Sequence, residues 1–251
     1  MMDYNQLIPE RVRTLKPSGI RKFFDIASTM DNVLSLSIGE PDFVTPWVVR
    51  DAGIDSLVRG RTFYTGNAGL IELRKAICEY NARMFELEYT PDQTLVTVGG
   101  SEAIDLCFRT LIGPGDEVII PEPSFVCYEP ITQLCGGRPV SIRTKAENEF
   151  RLTAEELRAA ITPRTKILVL PYPNNPTGAV MERADLEAIA AVLRGTNILV
   201  LSDELYAMLT YTGKRHVSIA NIAGMQERTI IVGGFSKAYA MTGWRLGYAL
   251  G

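Results

Sequence analysis

Seven short apolar runs, at residues 95–98, 117–121, 139–142, 166–171, 198–202, 229–232 and 246–250, punctuate the chain at intervals too long for hairpins. Stretches with helical periodicity fill most of the gaps, at 46–57, 70–85, 101–111, 154–161 and 183–193. Strands that alternate with helices must cross over to lie side by side. The pattern therefore predicts an α/β fold: a three-layer α/β/α domain around a mainly parallel sheet. Local signals mark the ends of these elements. Thr45 reads as the cap of the first helix, and Thr153 with Glu156 forms a T-x-x-E capping box. The stretches Gly113-Pro114-Gly115-Asp116 and Pro173-Asn174-Asn175-Pro176-Thr177-Gly178 are turns by composition.

The first 45 residues read differently: a polar arm, a short amphipathic helix near 18–27 and one strand. They are expected to form an N-terminal arm and small-domain segment, with residues 46–251 as the large domain. No internal repeat or low-complexity tract interrupts either part.

Composition narrows the function. A formal net charge of −3 offers no electrostatic case for nucleic acid or an anionic membrane surface. The longest apolar run, 166–171, is far too short to cross a bilayer. The N-terminus lacks the apolar core of a secretion signal, so a cytoplasmic location is expected. Cys78, Cys107, Cys127 and Cys135 form no C-x-x-C pair, which points to reduced thiols rather than disulfides or zinc. His216 is the only histidine and lies in the loop-like stretch TYTGKRHVS, where a surface position is expected. A metal site built on several histidines is impossible.

In open parallel sheets, ligands sit beyond the carboxyl ends of the strands, and the unusual residues collect there. Gly99-Gly100-Ser101 follows one strand, Asn174-Asn175 another, Asp203 a third, and Gly233 to Lys237 a fourth. No G-x-G-x-x-G follows a strand, and neither G-x-x-x-x-G-K-[ST] nor G-x-S-x-G occurs, so Rossmann, P-loop and hydrolase-elbow readings lack their key residues.

Four ordered motifs carry a resemblance. They are Ile38-Gly39-Glu40-Pro41-Asp42-Phe43, Asn174-Asn175-Pro176-Thr177-Gly178, Ser202-Asp203-Glu204-Leu205-Tyr206, and Ser236-Lys237 followed by Gly243-Trp244-Arg245. Together they resemble the class I/II aminotransferases, pyridoxal-phosphate enzymes of fold type I, across essentially the whole chain. The resemblance implies transfer of an amino group between an amino acid and a 2-oxo acid, with pyridoxal 5'-phosphate as cofactor and a homodimer as the working unit.

The resemblance also assigns roles, each weighed against a plainer one. Lys237 is the amine that condenses with the cofactor aldehyde and then moves protons; outside this motif it would read as a solvated lysine. Asp203 is the carboxylate that keeps the ring nitrogen protonated, although aspartate after a strand is often a helix cap. Tyr206 and Asn175 are the pair that hydrogen-bond the ring oxygen, with Asn175 also near substrate; alone, Asn175 would be a turn residue. Gly100, Ser101 and Glu102 open a helix where free N–H groups can hold the phosphate, though Ser101 also reads as a simple N-cap. Arg245 and Ser236 complete the phosphate site, Arg245 being otherwise a strand residue. Phe125 matches the aromatic that stacks on the ring, a type more often found in cores. Tyr64 matches a tyrosine that reaches the neighbouring subunit's phosphate. Gly39 matches a loop glycine beside the substrate carboxylate, or is a turn glycine.

Members of this family continue into a small C-terminal domain that supplies an arginine for the substrate carboxylate, and no residue here matches it. A sheet that stops at Gly251 is expected to leave an unpaired edge and exposed apolar surface. Three other readings stay open: a carbon–sulfur β-lyase with the same cofactor, a non-catalytic effector-sensing domain, and a catalytically incomplete aminotransferase-like fragment. Aspartate, aromatic and N-acetyl-diaminopimelate donors are all compatible with the resemblance.

Overall fold

The computed structural model describes residues 2–15, 19, 26, 29, 30, 33 and 39–251. The helix expected near 18–27, apart from Gly19 and Ile26, and the strand expected in the same arm lie outside the described residues. Two single helical turns, Tyr4–Leu7 and Glu10–Arg13, are found at the start of the arm.

All seven expected strands form, within about two residues of their expected bounds: β1 Thr94–Thr97, β2 Glu117–Glu122, β3 Arg138–Arg143, β4 Thr165–Leu170, β5 Leu199–Asp203, β6 Thr229–Gly234 and β7 Gly247–Leu250. They make one sheet in the order β1-β7-β6-β5-β4-β2-β3. Neighbouring strands from β6 through β3 pair in parallel, while β7 runs antiparallel to both β1 and β6. The reversal follows from the connection: β6 and β7 are joined by a loop with no α-helix, and a parallel partner would need a full crossover. β7 is thus an interior strand, paired on both sides. The unpaired edge expected at the end of the chain does not occur there; β1 and β3 are the edges.

The five expected helices form as α1 Trp47–Val58, α2 Ile71–Phe85, α3 Gly100–Leu111, α5 Ala154–Ala160 and α6 Arg183–Leu193, with the unforeseen α4, Tyr128–Leu134, between α3 and α5. Pro130 falls in the first turn of α4, where its missing N–H costs nothing. The capping box of Thr153 and Glu156 is present at α5. Thr45 does not cap α1; the N-cap is Pro46. The Thr45 hydroxyl instead donates to the carbonyl of Ala240 and accepts from Trp244 Nε1 at 3.2 Å.

Alternation along the strands sorts the core into two faces. Ile167, Val169, Leu201 and Val232 face α3 and α4, whose buried stripe on α3 is Gly100, Ala103, Ile104, Cys107 and Phe108. That spacing is one side of a helix. Leu168, Leu170 and Val200 face the other way, onto α5 and the Leu186, Ile189, Ala190, Leu193 stripe of α6. Ile231, Tyr248 and Leu250 continue that second face under Ile77 and Cys78 of α2. Each buried aliphatic side chain contributes about 1.5–3 kcal/mol, so either stripe is enough to fix its helix against the sheet. The large apolar side chains left exposed are concentrated in the N-terminal arm and in α1 and its flanks, including Trp47, Ile54, Leu57, Val58 and Phe63. No described helix is long and apolar enough to cross a membrane.

Candidate active site

The ends of β1, β2, β4 and β5 and the loop after β6 enclose a cavity of about 430 Å³. Ten of the twelve expected site residues line it: Gly39, Gly100, Ser101, Phe125, Asn175, Asp203, Tyr206, Ser236, Lys237 and Arg245. Glu102 is not in the lining; its carboxylate turns back to accept from the Val98 N–H. Tyr64 is fully exposed and lies outside the cavity.

Asp203 closes β5 and is buried. Its parity with Leu201 turns it toward the α3–α4 face, where the hydroxyl of Tyr128 donates to Oδ2 at 2.6 Å and the N–H of Leu205 to Oδ1 at 3.2 Å. Burial raises the Asp203 pKa, and these two hydrogen bonds oppose the rise. The same burial, with Asp203 beside it, pushes the Tyr128 hydroxyl far above its ordinary value, so that it stays a donor. Tyr128 was missed from the sequence: a single tyrosine three residues after Phe125 has no signal of its own until the helix that carries it is known.

Lys237 sits in the loop between β6 and β7, half-buried. Its ammonium donates to the Gly39 carbonyl and lies 5.7 Å from the centre of the Tyr206 ring. Burial lowers its pKa, the Glu40 carboxylate opposes this, and Arg245 adds to the lowering. Asn175 Nδ2 lies 3.4 Å from the Tyr206 hydroxyl and donates to it, which leaves the Tyr206 proton free to point elsewhere. Burial, then the nearby Asp203, raises the Tyr206 pKa.

An anion cradle forms where β1 opens into α3. The N-cap is Gly99 with φ 82°, so Ser101 is already inside the first turn and is not the cap. Glycine at 99 has a second reason: an added Cβ would come within 2.5 Å of the Arg245 guanidinium. Arg245 itself adopts a left-handed conformation, φ 54°, and its Nη1 donates to the Thr242 carbonyl at 2.7 Å. Free helix N–H groups and a guanidinium therefore meet at one point.

The segment around Gly39 straps this loop down. Thr242 donates to Glu40, Lys237 donates to Gly39, and Thr45 bridges Ala240 and Trp244. His216 is not on the surface as expected. It is buried, with Nε2 at 2.9 Å from Oε2 of Glu204. No cluster of metal-ligating side chains occurs among the described residues.

A reversed β7 in an otherwise parallel sheet, with a lysine-bearing loop over the strand ends, is the fold of the aspartate-aminotransferase-like α/β transferases. The chain superposes on aspartate aminotransferase from Rhizobium meliloti with a TM-score of 0.93 at 42% identity, over 97% of this chain and 62% of that one. The family profile for aminotransferase class I and II matches residues 31–251, and the chain belongs to that family. It is 51% identical over 243 residues to YugH of Bacillus subtilis (strain 168), covering 96% of this chain and 63% of that protein. It is 45% identical over 240 residues to an aspartate aminotransferase of Pyrococcus abyssi (strain GE5 / Orsay), covering 95% and 62%. The chain thus spans a little over three-fifths of the length of these relatives.

Proposed function

We propose that this chain forms the cofactor-binding part of a pyridoxal-phosphate-dependent aminotransferase, which moves an amino group from an amino acid to a 2-oxo acid. The observation that carries the reading is the convergence of a half-buried lysine, a buried aspartate and an arginine-backed helix N-terminus on one cavity. The residues fit the group. Arg245 closely approaches the Gly99 backbone, where a Cβ would push its guanidinium aside, and this makes a cradle for a phosphate dianion. The cavity volume suits a small aromatic ring with its substrate.

When bound, pyridoxal phosphate supplies an aldehyde that condenses with amines and a ring that accepts electrons from the substrate's α-carbon. The protein's part is positional and protonic. Gly100, Ser101, Ser236 and Arg245 hold the phosphate. Asp203, buried and held by Tyr128, keeps a proton on the ring nitrogen. Tyr206 directs its free hydroxyl proton to the ring oxygen, assisted by Asn175. Phe125, also in the lining, limits the ring's motion. Lys237 carries the proton to and from the substrate at Nζ, and its lowered pKa favours the neutral amine this needs. Gly39, in the lining and bonded to Lys237, is the residue given to the substrate carboxylate.

The same reading divides the chain into an N-terminal small-domain segment, 1–45, and a cofactor-binding domain, 46–251. It assigns a homodimer, with the exposed Tyr64 reaching the neighbouring subunit's phosphate, and a cytoplasmic location. Relatives named as aspartate and aromatic-amino-acid aminotransferases support amino-group transfer. The test is to incubate the cofactor-loaded protein with a panel of ¹⁵N-labelled amino acids, with and without a 2-oxo acid. Label appearing in a new amino acid only when the acceptor is present is the expected result. Ammonia and pyruvate released without the acceptor would overturn it.

A further inference from the structure

Four polar side chains that the reaction does not use are buried together behind the sheet. Ser202 Oγ donates to Glu204 Oε1 at 2.8 Å and Ser218 Oγ to the same oxygen at 2.6 Å, while His216 Nε2 pairs with Oε2 at 2.9 Å. The side chains of Glu204 and His216 are each only 4% exposed. Ser202 has the parity of Val200, so this cluster faces α5 and α6, opposite to Asp203 and Tyr128. A carboxylate this dry is tolerated only because donors surround it.

The cluster's place along the chain gives it a task. The backbone leaves the sheet at Glu204, whose N–H bonds to the Val232 carbonyl of β6. It passes the cavity with Tyr206, runs through the exposed stretch 211–215, and returns to the interior at His216. Both ends of that excursion are joined by the Glu204–His216 and Glu204–Ser218 contacts. The return end is anchored further: Ser218 caps a short turn with Asn221, whose Nδ2 donates to the Phe85 carbonyl at 2.9 Å, and the His216 ring stands edge-on to Phe85.

We propose that Glu204 and His216 form a clamp that closes the base of this excursion and thereby sets where the Tyr206 hydroxyl points. They are positioning residues, and the proposal rests on the reading of Tyr206 as a cofactor contact only for its spectroscopic consequence. The buried histidine then has a reason: imidazole stands edge-on to Phe85 and, in the Nε2–H tautomer, still presents a donor to Glu204.

The test uses His216→Phe, which keeps a ring but removes the donor, and His216→Gln, which keeps an N–H donor. Tyr206→Phe and the His216→Phe/Tyr206→Phe double variant complete the set. In the cofactor-free protein, 3-fluorotyrosine at position 206 reports the ring's environment by ¹⁹F resonance, with the same label at 128 as control. The expected result is a displaced or broadened 206 resonance in His216→Phe, an unchanged 128 resonance, and recovery in His216→Gln. With pyridoxal phosphate added, the pH midpoint of the bound chromophore should rise in His216→Phe, as it does in Tyr206→Phe, and the double variant should rise no further. A His216→Phe protein that melts at lower temperature but leaves the 206 resonance and the midpoint unmoved would overturn the proposal. So would midpoint shifts that add in the double variant. If His216→Phe does not fold, Ser218→Ala removes one donor from Oε1 and is judged by the same two readouts. A wild-type protein without a bound chromophore refutes the cofactor reading, and the 206 resonance then decides the clamp by itself.

Discussion

The hydroxyl of Tyr128, on a short helix, donates to Oδ2 of Asp203, at the end of β5, across 2.6 Å of buried space. Two elements 75 residues apart are joined by one hydrogen bond inside the candidate site. Burial favours the neutral carboxyl and this bond favours the charged one, so Tyr128 is the strongest contact opposing the rise in the Asp203 pKa that burial causes.

Tyr128→Phe should therefore destabilise the cofactor-free protein by about 1.5–3 kcal/mol at neutral pH, the range for a hydrogen bond to a charged partner. The bond acts on the ionised carboxylate, so the loss is greatest above the folded-state pKa of Asp203 and shrinks as the solution is acidified through it. Urea titrations of wild type and variant at neutral and acid pH measure this. A loss that does not change with pH would detach Tyr128 from the charge on Asp203.

Asp203→Asn should act in the opposite sense on the empty protein. A carboxyl whose folded pKa is raised favours folding in its protonated form, and that contribution is lost as pH rises through the folded value. Removing the titration should leave the variant more thermostable than wild type at neutral pH and equal to it below the ordinary carboxylate range. With pyridoxal phosphate bound, the same variant should exchange its substrate's α-proton slower by roughly two to five decades, if one pK unit of lost ring-nitrogen basicity costs about a decade. Calorimetry across pH and exchange from deuterated water test the two halves. Near wild-type exchange would remove Asp203 from the role given to it.

Much of this was legible in the sequence because it is local. Each strand is a short apolar run, and each was found to within about two residues. Lys237, Asp203, Asn175 and Arg245 stand at strand ends or in a loop beside them, and that alone brings them to one cavity. The rest depends on partners distant in the chain. β7 becomes an interior strand only because β1 pairs on its far side. His216 reads as a loop residue until Glu204 is seen to receive it. Tyr128 lies on a helix of seven residues, too short to show a period. Ser101 fails as a cap because glycine at 99, free to take positive φ, starts the helix earlier.

Thr45 illustrates the difference between local and distant roles. As a cap it would support only α1; in the structure it ties the segment before α1 to both Ala240 and Trp244. Thr45→Val keeps the shape and removes both bonds. A loss of about 1–2 kcal/mol is expected, with faster hydrogen exchange in the 236–245 loop. Stability loss without loosening of that loop would mean that other contacts hold it.

Arg245 should carry much of the affinity for the phosphate. Arg245→Ala is expected to weaken pyridoxal phosphate binding about 10- to 100-fold, and Arg245→Lys to recover only part, since a lysine cannot present a planar fork. Inorganic phosphate should compete with the cofactor in wild type and much less in Arg245→Ala. Equilibrium binding followed by fluorescence gives both. Unchanged affinity would move the phosphate site away from the α3 N-terminus.

The most direct measurement is covalent. Pyridoxal phosphate is added to the protein, the mixture is reduced with borohydride, and the labelled peptides are identified by mass spectrometry. A single label on Lys237 is the expected result, absent in Lys237→Ala although that variant still binds the cofactor weakly. A label on a different lysine, or label spread over the surface lysines with Lys237 unmodified, would contradict the placement of the cofactor in this cavity.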